Sequence, residues 1–155
     1  MWWRMSRNEF ARSTYEPNRL ALKTLVDGGA VPGVMAYQGG VPVGWVSVAP
    51  REDFPSLQRS KILAPVDDQP VWSIVCFYIP RSQRKQGLML DLCRGALEYA
   101  RSLGAKIVEV YPMVAEEKMS AMSAYMGIAP VLEKAGFVEV LRRSSHHPIM
   151  RCFLD

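Results

Sequence analysis

Five residues in one short stretch, Arg81, Arg84, Lys85, Gln86 and Gly87, have the types and spacing for anion chemistry. They follow an apolar run, residues 71–79, rich in β-branched and aromatic side chains. They precede a helical pattern that starts at Leu88. Strand, basic loop and helix in that order aim free backbone N–H groups and a helix N-terminus at a phosphate. Gly87 lets the backbone approach such a ligand closely, and the amides of residues 85–89 would converge on one anion. The bland alternative, a solvated basic turn entering an ordinary helix, stays open on this spacing alone. Neither GxxxxGK[ST] nor GxGxxG occurs.

The helix that must position this loop is well supported. Leu88, Leu92, Ala96 and Ala100 form one stripe, with Met89, Cys93 and Leu97 beside it. Arg94 and Glu98 make an i,i+4 pair on the polar side. Gly104 ends the helix, and residues 106–111 read as the next strand, so a central β–α–β crossover should be parallel. Before this unit the sequence predicts a short strand over residues 1–5, a turn capped by Ser6 or Asn8, and a helix over 18–26 stopped by Gly28-Gly29. A hairpin over 34–37 and 41–48 turns at Gly39-Gly40. Residues 50–69 form a Pro-rich loop with a helical turn or two near 54–60. After the unit come a broken helical pattern over 118–135, best formed at Ala129–Lys134, and closing strands over 137–142 and 149–154.

Composition bounds the function. The 155 residues, 49% hydrophobic and 22% charged, suit one domain over 1–155 with a real core. A net charge of +4 fits an anionic ligand, but the Lys and Arg are dispersed, which argues against a nucleic-acid partner. No apolar run reaches the ~18 residues needed to span a membrane. Arg4, Arg7 and Glu9 break any N-terminal signal pattern. Cys76, Cys93 and Cys152 are odd in number and fit neither a disulfide framework nor a metal site. The expectation is a cytoplasmic protein without a metal; a homodimer is left open.

Arg84-Lys85-Gln86-Gly87-Leu88-Met89 resembles the Q/R-x-x-G-x-G/A pyrophosphate loop of the GNAT N-acetyltransferases. Leu132-Glu133-Lys134-Ala135-Gly136-Phe137 is similar to the Y-E-K-x-G-F segment of the same family. Gly44-Trp45, Ala49-Pro50-Arg51, Val71-Trp72-Ser73 and Cys76-Phe77 further resemble a bacterial subgroup of that family. The resemblance implies an α+β fold with a mixed, mostly antiparallel sheet, helices on both faces and acetyl-CoA as cofactor. It implies that the pantetheine arm pairs with backbone of Phe77 and Ile79, and that the Phe77 N–H is the oxyanion donor. It also implies that amides of Lys85, Gln86, Gly87, Leu88 and Met89 hold the pyrophosphate, with Arg84 shaping the loop. Two positions depart from the pattern. Met89 stands where Gly or Ala is usual, and its side chain is expected to turn into the core. Leu132 stands where many members carry a tyrosine that protonates the leaving thiolate, and Leu cannot be an acid. Tyr125, seven residues earlier, is the candidate in its place.

The implied reaction is acetyl transfer to a primary amine by direct attack; the alternative is an acyl-CoA-binding sensor without turnover. No carboxylate lies on the apolar run 71–79, which offers Ser73, Cys76 and Tyr78. Glu109 and Tyr111 are candidates to face the cleft, with a solvent-facing position the other reading of Glu109. His146 and His147 read as solvated loop residues or a base. Arg51 and Arg59 read as surface cations, or as ligands for an acidic substrate group or the CoA phosphate. Asp67 and Asp68 read as a turn between prolines or a lure for a cationic amine. Trp45 and Trp72 read as core or as a substrate wall.

Overall fold

The computed structural model describes residues 1–13, 15–114 and 124–155. Helix α1, Arg7–Arg12, opens on a reciprocal capping box between Ser6 and Glu9. Helix α2 is Tyr15–Asp27, and Gly28 and Gly29 close it through bonds to Thr24 and Val26. The hairpin forms as strands β1, Gly33–Gln38, and β2, Val41–Pro50. A single helical turn, α3, Pro55–Gln58, sits in the Pro-rich loop. Then follow β3, Trp72–Tyr78, helix α4, Leu88–Ser102, and β4, Ile107–Val110. Helix α5, Ala129–Lys134, and strands β5, Val138–Arg142, and β6, Pro148–Phe153, complete the order.

The six strands form one sheet in the order β1-β2-β3-β4-β6-β5. Only β3 and β4 are parallel, joined by α4 as the crossover; every other pair is antiparallel. The fold is therefore the expected α+β class. On one face α4 buries Leu92, Cys93, Ala96, Leu97 and Ala100 against Val46, Val48, Ile74 and Phe77. Full burial of one such aliphatic side chain contributes about 1.5–3 kcal/mol, so this stripe anchors the basic loop to the sheet. The opposite face is covered by Phe54, Leu57 and Leu63 of the Pro-rich loop, packed on Val75, Tyr111 and Ile149.

The N-terminal expectation fails. Residues Trp2–Arg4 form a 3-10 turn, not a strand. Trp2 packs edge-to-face on Phe10, with centroids 5.2 Å apart. The Ser6–Glu9 capping box starts a helix so soon afterwards that no extended segment fits. The earlier part of the helical pattern over 118–135 lies outside the described residues.

Candidate functional site

Strand β3 pairs with β4 only at Trp72, Ser73 and Ile74, opposite Val108, Glu109 and Val110. It continues against β2 as far as Tyr78. Beyond Ile74, no strand of the described residues pairs with the second edge of β3. The register between β2 and β3 shifts between Ser47 and Val48, which pair with Cys76 and Ile74. The extra residue on β3 is Val75, and such a bulge bends its strand and strengthens its twist. Pairing of the two parallel strands thus stops at Ile74 and Val110, while β3 runs on to Tyr78. Residues two apart turn their backbone groups to the same edge, so Phe77 and Ile79 share one.

The turn after β3 ends in an anion cradle. Lys85 is left-handed with φ +63°, an uncommon state for a residue with a side chain. Gly87, at φ +83°, is the N-cap of α4 and brings no side-chain cap. The N–H groups of Lys85, Gln86, Gly87, Leu88 and Met89 make no hydrogen bond to another described residue. The turn is braced from within: Arg84 Nε donates to the Ile79 carbonyl at 3.0 Å, and Gln86 Nε2 donates to the Ser82 carbonyl at 3.0 Å. A Cβ on Gly87 would meet nothing within 4 Å, so the space before the helix is open. Met89 packs against the core below, leaving its N–H at the mouth. Unclaimed amides at the start of a 15-residue helix, with Arg81 and Lys85 exposed beside them, suit a pyrophosphate.

On the face away from α4, a cavity of about 520 Å³ opens beside the same part of β3. Its walls are Trp2, Trp3, Phe10, Leu22, Trp45 and Phe54. Cys76, Val75 and Tyr125 line it where it meets the strand. Burial, and to a lesser degree the nearby Cys76, holds the Tyr125 phenol above its ordinary value. It therefore stays protonated and available as a donor at neutral pH. Burial raises the Cys76 thiol too, so it is not an activated nucleophile.

The Acetyltransferase (GNAT) family model matches residues 1–127, well over half of the chain. The chain belongs to the GNAT acetyltransferase family. No curated protein matches it. Among solved structures it is similar to the Salmonella typhimurium protein yncA with acetyl-CoA (17% identity, 93% of this chain and 76% of that one, TM-score 0.60). It is also similar to a ribosomal-protein-alanine N-acetyltransferase from Brucella melitensis (16% identity, 92% and 80%, TM-score 0.58). A third is a Bacillus subtilis acetyltransferase in complex with CoA (15% identity, 90% and 86%, TM-score 0.52). At these identities the likeness shows the fold. Acetyl-CoA is the co-substrate of this GNAT chain, and the unclaimed amides of the cradle fit its diphosphate.

The remaining residues of this GNAT domain separate into those near the cavity and those elsewhere. Leu132 is fully buried in the core that also holds Phe77. Gly127, at φ +109°, lies against both: a Cβ there would stand 2.9 Å from Leu132 Cδ1 and 3.4 Å from Phe77 Cε2. Leu132 is thus core packing. Trp45 does line the cavity, whereas Trp72 packs edge-to-face on Tyr99. Burial pushes the Cys93 thiol up to about 12, and all three cysteines are free.

Glu109 and Tyr111 correct the sequence reading. Glu109 does not face solvent; it is 1% exposed. Arg151 Nε donates to its Oε1 at 2.9 Å, and the Tyr111 hydroxyl donates to its Oε2 at 2.7 Å. Arg51 Nη1 reaches Tyr111 Oη at 2.6 Å and Glu109 Oε2 at 3.4 Å. The Ser73 hydroxyl lies 2.8 Å from Tyr111 Oη. Arg51 Nη2 donates to the Leu63 carbonyl at 2.6 Å. Two guanidinium groups and two carboxylates, Glu109 and Asp67, balance here. Asp67 is tied into this network too: Arg151 grips it at 2.6 and 2.9 Å. Arg59 donates to Met5 O and Ser56 Oγ, and the His146 ring lies against the Val114 carbonyl. A signal for the network existed. Glu109 sits on a four-residue strand flanked by Val, in the parallel part of the sheet, where strands are covered on both faces.

Proposed function

We propose that this chain transfers an acetyl group from acetyl-CoA to a primary amine by direct attack, as one domain over residues 1–155 in the cytoplasm. The observation that carries the reading is the set of unclaimed amides at the start of α4, reached from a β3 whose pairing with β4 ends at Ile74. Acetyl-CoA supplies an activated acetyl group: the amine nitrogen bonds to its carbonyl carbon, the carbon–sulfur bond breaks with the electron pair going to sulfur, and the proton lost by nitrogen balances the one sulfur gains. Backbone of Phe77 and Ile79 holds the extended arm as a strand partner would. Lys85, Gln86, Gly87, Leu88 and Met89 bind the diphosphate through their N–H groups, and Arg84 keeps that loop in shape. The Phe77 N–H steadies the oxygen that gains charge. Tyr125, kept protonated by burial, donates the proton toward sulfur.

A second reading is supported by one observation. Leu132 is pure core, so the family's usual acid is gone, and a CoA-binding sensor without turnover fits that loss. Thiol release from acetyl-CoA, followed over a broad amine panel, decides between them. Amine-dependent release with stoichiometric N-acetyl product supports the transferase. Tight acetyl-CoA binding with no release on any amine supports the sensor.

A further inference from the structure

The turn Trp2–Arg4 brings a fixed cation to the cavity beside β3. It is pinned to α3 and the residue after it. Ser56 Oγ donates to the Trp2 and Met5 carbonyls at 3.1 and 3.0 Å, and Arg59 Nη2 donates to the Met5 carbonyl at 3.2 Å. Trp3 and Arg4 both line the cavity. Arg4 stacks on Phe54, its guanidinium carbon 4.6 Å from the ring centroid. Its ion pair is a 3.7 Å contact from Nη1 to Asp53, whose side chain is 49% exposed. Burial lowers the Arg4 pKa, and Asp53 offsets this only in part, so the cation is under-compensated. Arg4 Nη2 and Trp3 Nε1 are buried without a hydrogen-bond partner among the described residues. Both groups can only donate, a guanidinium keeps its charge at physiological pH, and leaving buried donors unmade is costly. What completes them is an acceptor, and an anion completes the charge as well.

We propose that Arg4 and Trp3 determine acceptor specificity: they receive a carboxylate, so that the amine acetylated is that of a free amino acid with an apolar side chain. This rests on the acetyl-transfer reading, in which the acceptor reaches β3 through this cavity. A carboxylate has two oxygens to share between the two donors, and its plane matches a guanidinium. A neutral carbonyl would satisfy a donor and leave the charge uncompensated. A phosphate would bring a second negative charge against walls made largely of Phe10, Leu22, Trp45 and Phe54. The same rings suit an apolar side chain, and about 520 Å³ is in the range of pockets that enclose a whole small molecule. Val75 and Cys76, where the cavity meets β3, then lie toward the amine. A peptide N-terminus has its own first carboxyl tied up in an amide and lacks the group that Arg4 receives.

The test compares kcat/KM at saturating acetyl-CoA for L-phenylalanine against phenethylamine and L-phenylalaninamide, which keep the body and lack the carboxylate. The expected result is at least about tenfold preference for phenylalanine. Arg4→Gln should lower kcat/KM for phenylalanine at least about tenfold further than for phenethylamine, chiefly through KM, and Arg4→Lys should restore part of that difference. A merely structural role would lower both amines together. Trp3→Phe keeps a ring and removes the Nε1–H. It should narrow the same preference about threefold or more, which keeps the test decisive if Arg4→Gln does not fold. Preference for phenethylamine or phenylalaninamide, or equal losses for the matched amines in these variants, overturns the inference and leaves acetyl transfer standing. If nothing is acetylated, phenylalanine is titrated into the acetyl-CoA complex by calorimetry. Binding that weakens at least about tenfold in Arg4→Gln, or about threefold in Trp3→Phe, then supports carboxylate recognition while acetyl transfer falls. No binding, or binding indifferent to both variants, overturns it.

Discussion

Tyr125 and Leu132 occupy different places, one at the cavity and one in the core. Leu132 closes the core beneath Phe77, while Tyr125 stands at the cavity, partly exposed, with a raised phenol. If Tyr125 moves a proton, Tyr125→Phe keeps the ring and its packing and loses the donor. The expected outcome is a fall in kcat of about 10²-fold with acetyl-CoA affinity retained, measured by steady-state kinetics. A changed amine KM with kcat intact would make Tyr125 a wall residue only. Glu109 is a different matter. It is a buried anion shared by Arg151, Tyr111 and Arg51. Glu109→Gln leaves the Arg charges buried with less compensation, so unfolding in urea should show a loss of about 3–5 kcal/mol. A loss under 1 kcal/mol would mean that the network is wetter than its burial indicates.

At the scale of elements, the β3–loop–α4 unit was the most legible part of the chain. Its apolar run, basic turn and helical stripe are local patterns, and local patterns survive folding. The left-handed Lys85 was not legible, because nothing in its side chain asks for φ +63°. The brace from Arg84 to the Ile79 carbonyl imposes that path. The buried charges were not legible either. Arg51 and Glu109 are 58 positions apart and meet only once β2 and β4 flank β3. Residues 1–5 misled for a simpler reason: two tryptophans carry strand propensity, and a capping box overrode it. Gly87 tests the legible part. Its φ of +83° costs an L-residue about 1–2 kcal/mol, and the amides around it must converge. Gly87→Val should weaken acetyl-CoA at least tenfold by calorimetry while the circular dichroism of the fold persists. Unchanged affinity would remove the diphosphate from this turn.

Over the whole molecule, the two faces of the sheet are secured differently. Among the described residues, the α4 face is held by apolar packing, which is indifferent to pH. The other face depends on a long Pro-rich loop that supplies Phe54 and Leu57 to the core and Phe54 to the cavity. Ion pairs and side-chain-to-carbonyl bonds tie that loop down: Arg151 to Asp67, Arg51 to the Leu63 carbonyl, and Arg143 to the carbonyls of Ala64 and Pro65. Hydrogen bonds from Arg151 hold the Asp67 carboxyl well below the usual carboxylate range, and Asp67 in turn raises Arg151. A carboxylate with a depressed folded value stabilises the fold above its unfolded value, near ~3.9, and that contribution is lost as pH falls through the folded value. Stability should therefore be level from neutral pH to about 4 as far as this pair is concerned, and fall below it. Glu9, Glu16 and Glu139 are also lowered, each by a partner three residues away on its own helix or strand segment, so they add a local background that does not involve the loop. Asp67→Asn separates the two. Its urea midpoint should lie below the wild type at pH 7, and the gap should begin to narrow as pH falls from 4 to 2.5. Parallel midpoint curves for the two proteins over that range would show that the loop is held by its carbonyl contacts and not by the Asp67–Arg151 pair.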